Sequence, residues 1–394
     1  MSAEARAHFV LDPAVCYLNH GSFGACPRPV LEHQAELRSR LEAEPVQFFA
    51  HTLEPLLDET RAVLAEFLHA DPEGLVFVNN ATEGVNTVLS GLELSAGDEL
   101  ITTDHAYGAC KNALEFHAAR SGAVVRTASL PFPIFDPGQV VEAVLGVVSH
   151  RTRVALLDHV TSPTGLVLPM EDLVSALQAR GVAVLVDGAH APGMLPLELD
   201  QLGADYYTGN AHKWLCTPKG SAFLWARQDR RAKLRPMSIG WGASSTRRDR
   251  SRLHLEFDWT GTHDPTAVLC IPKAIEFLSK LLPGGFAALR AHNHELVLEG
   301  RSIVLDALGL ASPAPDSMIG SLAAIVLPSN LAGGDQSGGD IFDPLGIQLF
   351  REHRIEVPVF RRPSANQRLL RVSAQIYNQR ADYERLAVAL TQGQ

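Results

Sequence analysis

The sequence predicts an α/β protein. A large domain with a mainly parallel, seven-stranded sheet flanked by helices precedes a smaller α+β domain at the C-terminus. Three observations carry this. From residue 75 to residue 225, short apolar runs alternate with stretches of helical length, the pattern of successive βαβ units. Runs such as Val182-Ala-Val-Leu-Val186 are apolar without a polar face, as parallel strands covered on both sides are. The chain has 394 residues, more than one typical core accommodates.

The elements follow in order. Residues 1–26 are rich in Gly, Pro and small side chains and read as an extended or irregular arm. Residues 27–44 place Leu31, Leu37 and Leu41 on one partly apolar face and read as a helix, and 54–68 as a second. Strands are expected at 75–78, 99–102, 123–126, 153–157, 182–186, 205–208 and 221–225. Helices are expected among them at 83–92, 109–120, 138–148 and 170–180. The charged, glycine-containing stretch 227–263 breaks the alternation and reads as a connection. Beyond it, helices are expected at 266–281, 286–308, 342–353 and 379–390, and strands at 322–327, 355–360 and 367–372. The expected division is an arm over 1–26, a large domain over 27–260 and a small domain over 261–394. The glycine-rich run 332–340 reads as a flexible surface loop.

Composition narrows the function. The hydrophobic fraction is 46% and the charged fraction 20%, ordinary for a soluble globular chain. A net charge of −10 without a basic run argues against nucleic acid as a partner. No apolar run approaches the ~20 residues of a membrane span. The first eight residues lack a basic region followed by an apolar one, so a cytoplasmic protein is expected. Five scattered cysteines contain no CxxC pair, which predicts neither a disulfide framework nor a metal site.

Two stretches carry the chemistry. The run Val182–Val186 delivers Asp187 at a strand end, where open α/β sheets place their ligands. The second, Tyr206 to Trp214, sets Lys213 among aromatic and apolar neighbours. Such surroundings desolvate an ammonium, lower its pKa and make the amine nucleophilic. Lys219, between Pro218 and Gly220, is a weaker nucleophile candidate in a turn. Further candidates follow other strands. Ala81, Thr82 and Glu83 open a helix, which presents backbone N–H groups to a phosphate. His105 and Tyr107 follow the next strand, and either can stack on a planar ligand. Ser162 and His190 offer polar atoms after two others, and Asn210 and His212 lie beside Lys213. Near the C-terminus, Arg371 provides a guanidinium fork suited to a carboxylate.

Taken together, these residues resemble the class V aminotransferases, fold-type I enzymes dependent on pyridoxal 5′-phosphate (PLP). The likeness spans nearly the whole chain. The runs LNHGSFGACP (18–27), TTDHAYGACKNA (102–113), HVTSPTG (159–165), DGAH (187–190), GNAHKWLCTPKG (209–220) and RVSAQIYN (371–378) are closer still to isopenicillin-N epimerases and related C–S lyases. The resemblance implies that Asp187 keeps the pyridine nitrogen protonated and that Lys213 binds the cofactor aldehyde and takes the substrate α-proton. It implies a phosphate site at Ala81, Thr82, Glu83, Asn210 and His212, and a bond from Ser162 or His190 to the cofactor phenol. It also implies that Gly261 and Thr262 cap the phosphate of a partner subunit, so that a homodimer shares the site. Arg371, with Asn19 and His20, would take an amino-acid substrate. Epimerisation is the expected outcome, with His105 or Tyr107 as second acid; a C–S lyase or an aminotransferase is the alternative. Desulfurase chemistry is not expected, because no cysteine lies between Cys270 and Arg371.

Overall fold

The computed structural model describes residues 2–329, 331, 343–362 and 367–392. The glycine-rich run 332–340 lies outside them. The arm contains a two-residue strand, β1 (Cys16–Tyr17). The apolar runs of the large domain become β2 (Leu75–Val78), β3 (Glu99–Thr103), β4 (Val124–Ala128), β5 (Thr152–Asp158), β6 (Ala183–Asp187), β7 (Tyr206–Asn210) and β8 (Ala222–Ala226). They form one sheet in the order β2-β8-β7-β6-β5-β3-β4. Only β8 runs against its neighbours, so the other six strands end on the same side.

Side-chain alternation along the central strands feeds two cores. Leu156 and Leu185 pack with helices Ala81–Ser90 and Gly108–Ser121 on one face. Leu157, Val184 and Val186 pack on the other, with helices Leu53–Leu68, Gly138–Leu145 and Met170–Gln178. Burial on both faces is why these strands read as unbroken apolar runs.

The C-terminal part contains β9 (Leu322–Val326), β10 (Ile355–Glu356), β11 (Val359–Arg362) and β12 (Gln367–Ser373). Strands β11, β12 and β9 form an antiparallel sheet. Helix Gly285–Leu308 packs against β9, β12 and helix Arg380–Thr391.

Three expectations change in detail. The helix expected at 266–281 is two, Thr266–Leu269 and Ile271–Ser279. Pro272 has no N–H to continue the first. The strand expected at 355–360 divides into β10 and β11 at Pro358, whose carbonyl accepts from Arg371 instead. Residues 1–26 are not irregular throughout. They hold short helices at Ser2–Ala7 and His20–Phe23, and β1 pairs in parallel with β10. Leu18 is fully buried there, and its carbonyl accepts from both the backbone and the hydroxyl of Ser373.

Candidate active site

Where the six aligned strands end, loops enclose a cavity of about 370 Å³. Thr82 follows β2, Tyr107 follows β3, Asp158 ends β5, Asp187 ends β6, and Asn210 and Lys213 end and follow β7. Ser162, Ala81, His190 and His212 line it as well.

Asp187 is anchored by two donors. The N–H of Ala189 reaches Oδ1 at 3.0 Å and the Cys110 thiol reaches Oδ2 at 3.1 Å. Lys213 is tied to a second chain of donors. The indole Nε1–H of Trp214 can only donate, and it meets His190 Nδ1 at 3.4 Å. Neutral His190 therefore carries its proton on Nε2, which lies 3.1 Å from Lys213 Nζ. The amine can accept that proton's bond in its uncharged form, which alone has a lone pair to do so. Burial, then the charge of Arg371, shifts the amine towards that form by lowering Lys213 to about 8, against the opposing pull of Asp187. Burial and the Lys213 charge also hold His190 well below its usual range.

The start of helix Ala81–Ser90 packs unusually close to the sheet. A Cβ on Gly84 would meet Thr208 Oγ1 at 2.1 Å, so only glycine admits this approach. Asn80 caps the helix by accepting from Glu83 N–H at 2.9 Å, and Asn210 Oδ1 accepts from Ala81 N–H at 2.8 Å. The Glu83 carboxylate turns back to Asn79 at 2.9 and 2.7 Å and does not line the cavity. His212 Nδ1 donates to the Ser221 carbonyl at 2.9 Å; burial, then the Lys213 charge, lowers it to about 4.

Arg371 lies behind the cavity wall, 1% exposed. Its Nη1 donates to the Ser162 carbonyl at 2.5 Å, and Nη2 donates to Ser22 Oγ at 3.2 Å and Asn19 Oδ1 at 3.5 Å. Burial lowers it to about 10. No carboxylate comes within 4 Å among the described residues, and Nε has no partner there. Ser22 and Ser162, both bonded to it, line the cavity.

Some expected residues lie elsewhere. Tyr107 lines the cavity, whereas His105 is fully buried behind it, with Nδ1 on Thr164 Oγ1 at 2.9 Å. His20 does not line it either; it braces the loop that carries Lys213, bonding the Lys213 carbonyl at 3.0 Å and the Tyr377 hydroxyl at 2.7 Å. Lys219 donates to the Gly24 carbonyl at 3.0 Å, away from the cavity. Gly261 and Thr262 line a separate cavity of about 190 Å³ with Asn79 and Glu83. Asp158, Ser22 and Phe23 were not singled out by the sequence. Asp158 carried a usable signal, an acid ending an apolar strand as Asp187 does.

Known proteins give the same picture. A family model described as Aminotransferase class-V matches residues 17–386. The chain is 39% identical to an isopenicillin N epimerase of Amycolatopsis lactamdurans, over 98% of this chain and 97% of that protein. It is 32% identical to a putative L-cysteine desulfhydrase 1 of Oryza sativa subsp. japonica, over 99% of this chain and 85% of that one. Among solved structures, a cysteine desulfurase of Escherichia coli superposes with a TM-score of 0.79 at 22% identity, covering 100% of this chain and 98% of that one. A variant of a C–S lyase with glycine covalently linked to its PLP cofactor superposes with a TM-score of 0.80 at 22% identity, covering 99% of both chains. Sequence match and fold thus span the same residues that build the cavity, and the chain belongs to the class-V aminotransferase family of pyridoxal 5′-phosphate enzymes.

Proposed function

We propose that this enzyme inverts the α-carbon of an amino acid or an amino-acid-containing substrate, in the manner of isopenicillin N epimerases. The relatives named isopenicillin N epimerase support inversion, and the observation that carries the substrate class is Arg371. A buried cation without a carboxylate partner is costly, and this one opens through Ser22 and Ser162 onto the cavity of Lys213. A substrate α-carboxylate is the anion that fits.

The residues around the cavity fit the cofactor. The N-terminus of helix Ala81–Ser90, with Thr82, Asn210 and His212, would hold its phosphate. Asp187 would pair with the ring nitrogen, Tyr107 would cover the ring, His190 or Ser162 would bond the phenol, and Lys213 would take the aldehyde. When bound, the cofactor supplies an electron sink for the pair left on the α-carbon. Lys213, favoured as a free base by burial, removes the α-proton. Inversion requires a proton from the opposite face. Tyr107 has a hydroxyl and lines the cavity, so it is the candidate donor.

The relatives named L-cysteine desulfhydrase support a second outcome, loss of a sulfur substituent from the β-carbon. All five cysteines are buried and none lines the cavity, so transfer of sulfur to a protein thiol has no acceptor. Proton NMR of the PLP-loaded enzyme in D2O, with L-amino acids, S-substituted cysteines and a penicillin-type tripeptide, separates the outcomes. α-Proton exchange with appearance of the D-isomer and no pyruvate supports epimerisation. Pyruvate from the cysteine derivatives replaces it with C–S lysis.

The enzyme is further read as a homodimer in which residues 259–264 of each subunit complete the partner's phosphate site. Ile239 and Trp241 on the preceding connection, 65% and 81% exposed, fit a covered face. A monomer by light scattering at micromolar concentration would remove this part of the reading.

A further inference from the structure

Two acids stand side by side at the ends of β5 and β6. Asp158 and Asp187 are register partners, each 3% exposed, and both line the cavity. The reading above uses only Asp187. Neighbouring strands lie about 5 Å apart, and two buried carboxylates at such range disfavour each other's ionisation.

The hydrogen bonds decide which one carries the charge. Asp187 receives a donor on each oxygen, from Ala189 and Cys110. Asp158 receives one, the Tyr107 N–H on Oδ2 at 3.1 Å. Its Oδ1 is buried without a partner among the described residues. The titratable groups facing Asp158 are Asp187 on β6, Tyr107 and Cys110 at the start of helix Gly108–Ser121, and Lys213 beyond β7. The Tyr107 N–H and then Lys213 favour an ionised Asp158, but burial and the Asp187 charge outweigh them and hold this carboxyl well above the usual range.

We propose that Asp158 is a second acid of the cofactor cavity's wall, a neutral carboxylic acid with its proton on the buried Oδ1, beside the charged Asp187. The pair then presents one negative charge, not two, to the bound heterocycle. Because Oδ2 holds the Tyr107 N–H, the same acid also fixes where the aromatic ring enters the cavity. The inference depends on the family's cofactor and not on the epimerase reading, so the two can fail separately.

Two measurements on the holoenzyme test it. The infrared difference between wild type and Asp158→Asn at pH 8 is expected to contain the carbonyl stretch of a protonated carboxylic acid, present only in the wild type. The second reads the pH midpoint of the cofactor's visible absorbance. Asp158→Asn exchanges one neutral donor for another, so the midpoint is expected to move by less than about half a pH unit, roughly threefold in the equilibrium constant. Were Asp158 a carboxylate, losing its charge beside a cationic cofactor would lower the midpoint by half a unit or more. A fall of that size, or a difference spectrum without the acid band, overturns the proposal. Asp158→Ser, also neutral and a donor, carries the same expectations if the Asn variant does not fold.

Discussion

Arg61 and Arg371 are both buried, at 3% and 1% exposure, and each guanidinium lies over a phenylalanine ring. Their surroundings differ in one respect. Arg61 meets Asp58 at 2.6 Å, Asp258 at 2.5 Å and the Leu75 carbonyl at 3.1 Å, and Arg250 joins the same two acids. Among the described residues, Arg371 meets only neutral oxygens. One region is electrically closed; the other is left for something that arrives. Charge that is balanced within the fold supports stability, and charge that is not balanced supports binding. Each region should therefore fail in its own way when altered.

Lys213→Ala should show the largest effect. Removing the proposed base is expected to lower kcat by about 10⁴-fold, with an unchanged or higher melting temperature, because a buried amine has been removed. A variant that keeps full activity would reverse the assignment. Arg371→Leu and Arg61→Leu should behave as a crossed pair. The first is expected to lower kcat/KM about 10²-fold, mostly through KM, since truncating one partner of a buried charge pair costs about 3 kcal/mol. It should not destabilise the protein. The second should leave activity per folded molecule intact and lower unfolding stability by about 3–5 kcal/mol, because Asp258 loses a partner inside the protein. Denaturant curves and kinetics on the same samples decide; similar losses of both kinds in both variants would erase the comparison.

The remaining predictions sharpen the open region. The apoprotein amine must be uncharged to react with pyridoxal phosphate. With Lys213 lowered from 10.5 to about 8, the loading rate is expected to rise about tenfold per pH unit below 8 and then level off. A rise that continues towards pH 10 would mean an ordinary lysine. Trp214→Phe removes the donor that fixes the His190 tautomer while keeping an aromatic ring. One hydrogen bond is worth about 1 kcal/mol net, so roughly a fivefold loss in kcat/KM is expected. Nitrogen NMR should show His190 no longer protonated solely on Nε2.

What the sequence made legible follows the same division. Asp187 and Lys213 each sit in a contiguous run whose neighbours already describe their environment: an apolar strand before one, aromatic and apolar residues around the other. The two central cores were readable for the same reason, since strands buried on both faces leave no polar alternation. Residues whose role depends on direction were not readable. His105 and Tyr107 are two positions apart where a strand turns into a helix, and only the turn decides that Tyr107 faces the cavity and His105 faces Thr164. His20 looked like a substrate contact, yet its partners, the Lys213 carbonyl and Tyr377, are distant in sequence. Asp158 becomes notable only once β5 and β6 are known to be neighbours in register.

The arm gives the molecule an order of assembly. Ser22 and Phe23 reach the cavity because β1 pairs with β10, and because Leu18 and His20 are fastened to Ser373 at the end of β12. The arm is made before β10 and β12 and thus has no seat until they have followed it. During synthesis the large domain can form its sheet early, but the wall between Arg371 and the cavity closes only after β12 has emerged. A ribosome-bound chain halted before that strand would hold a folded sheet and an unfinished active site.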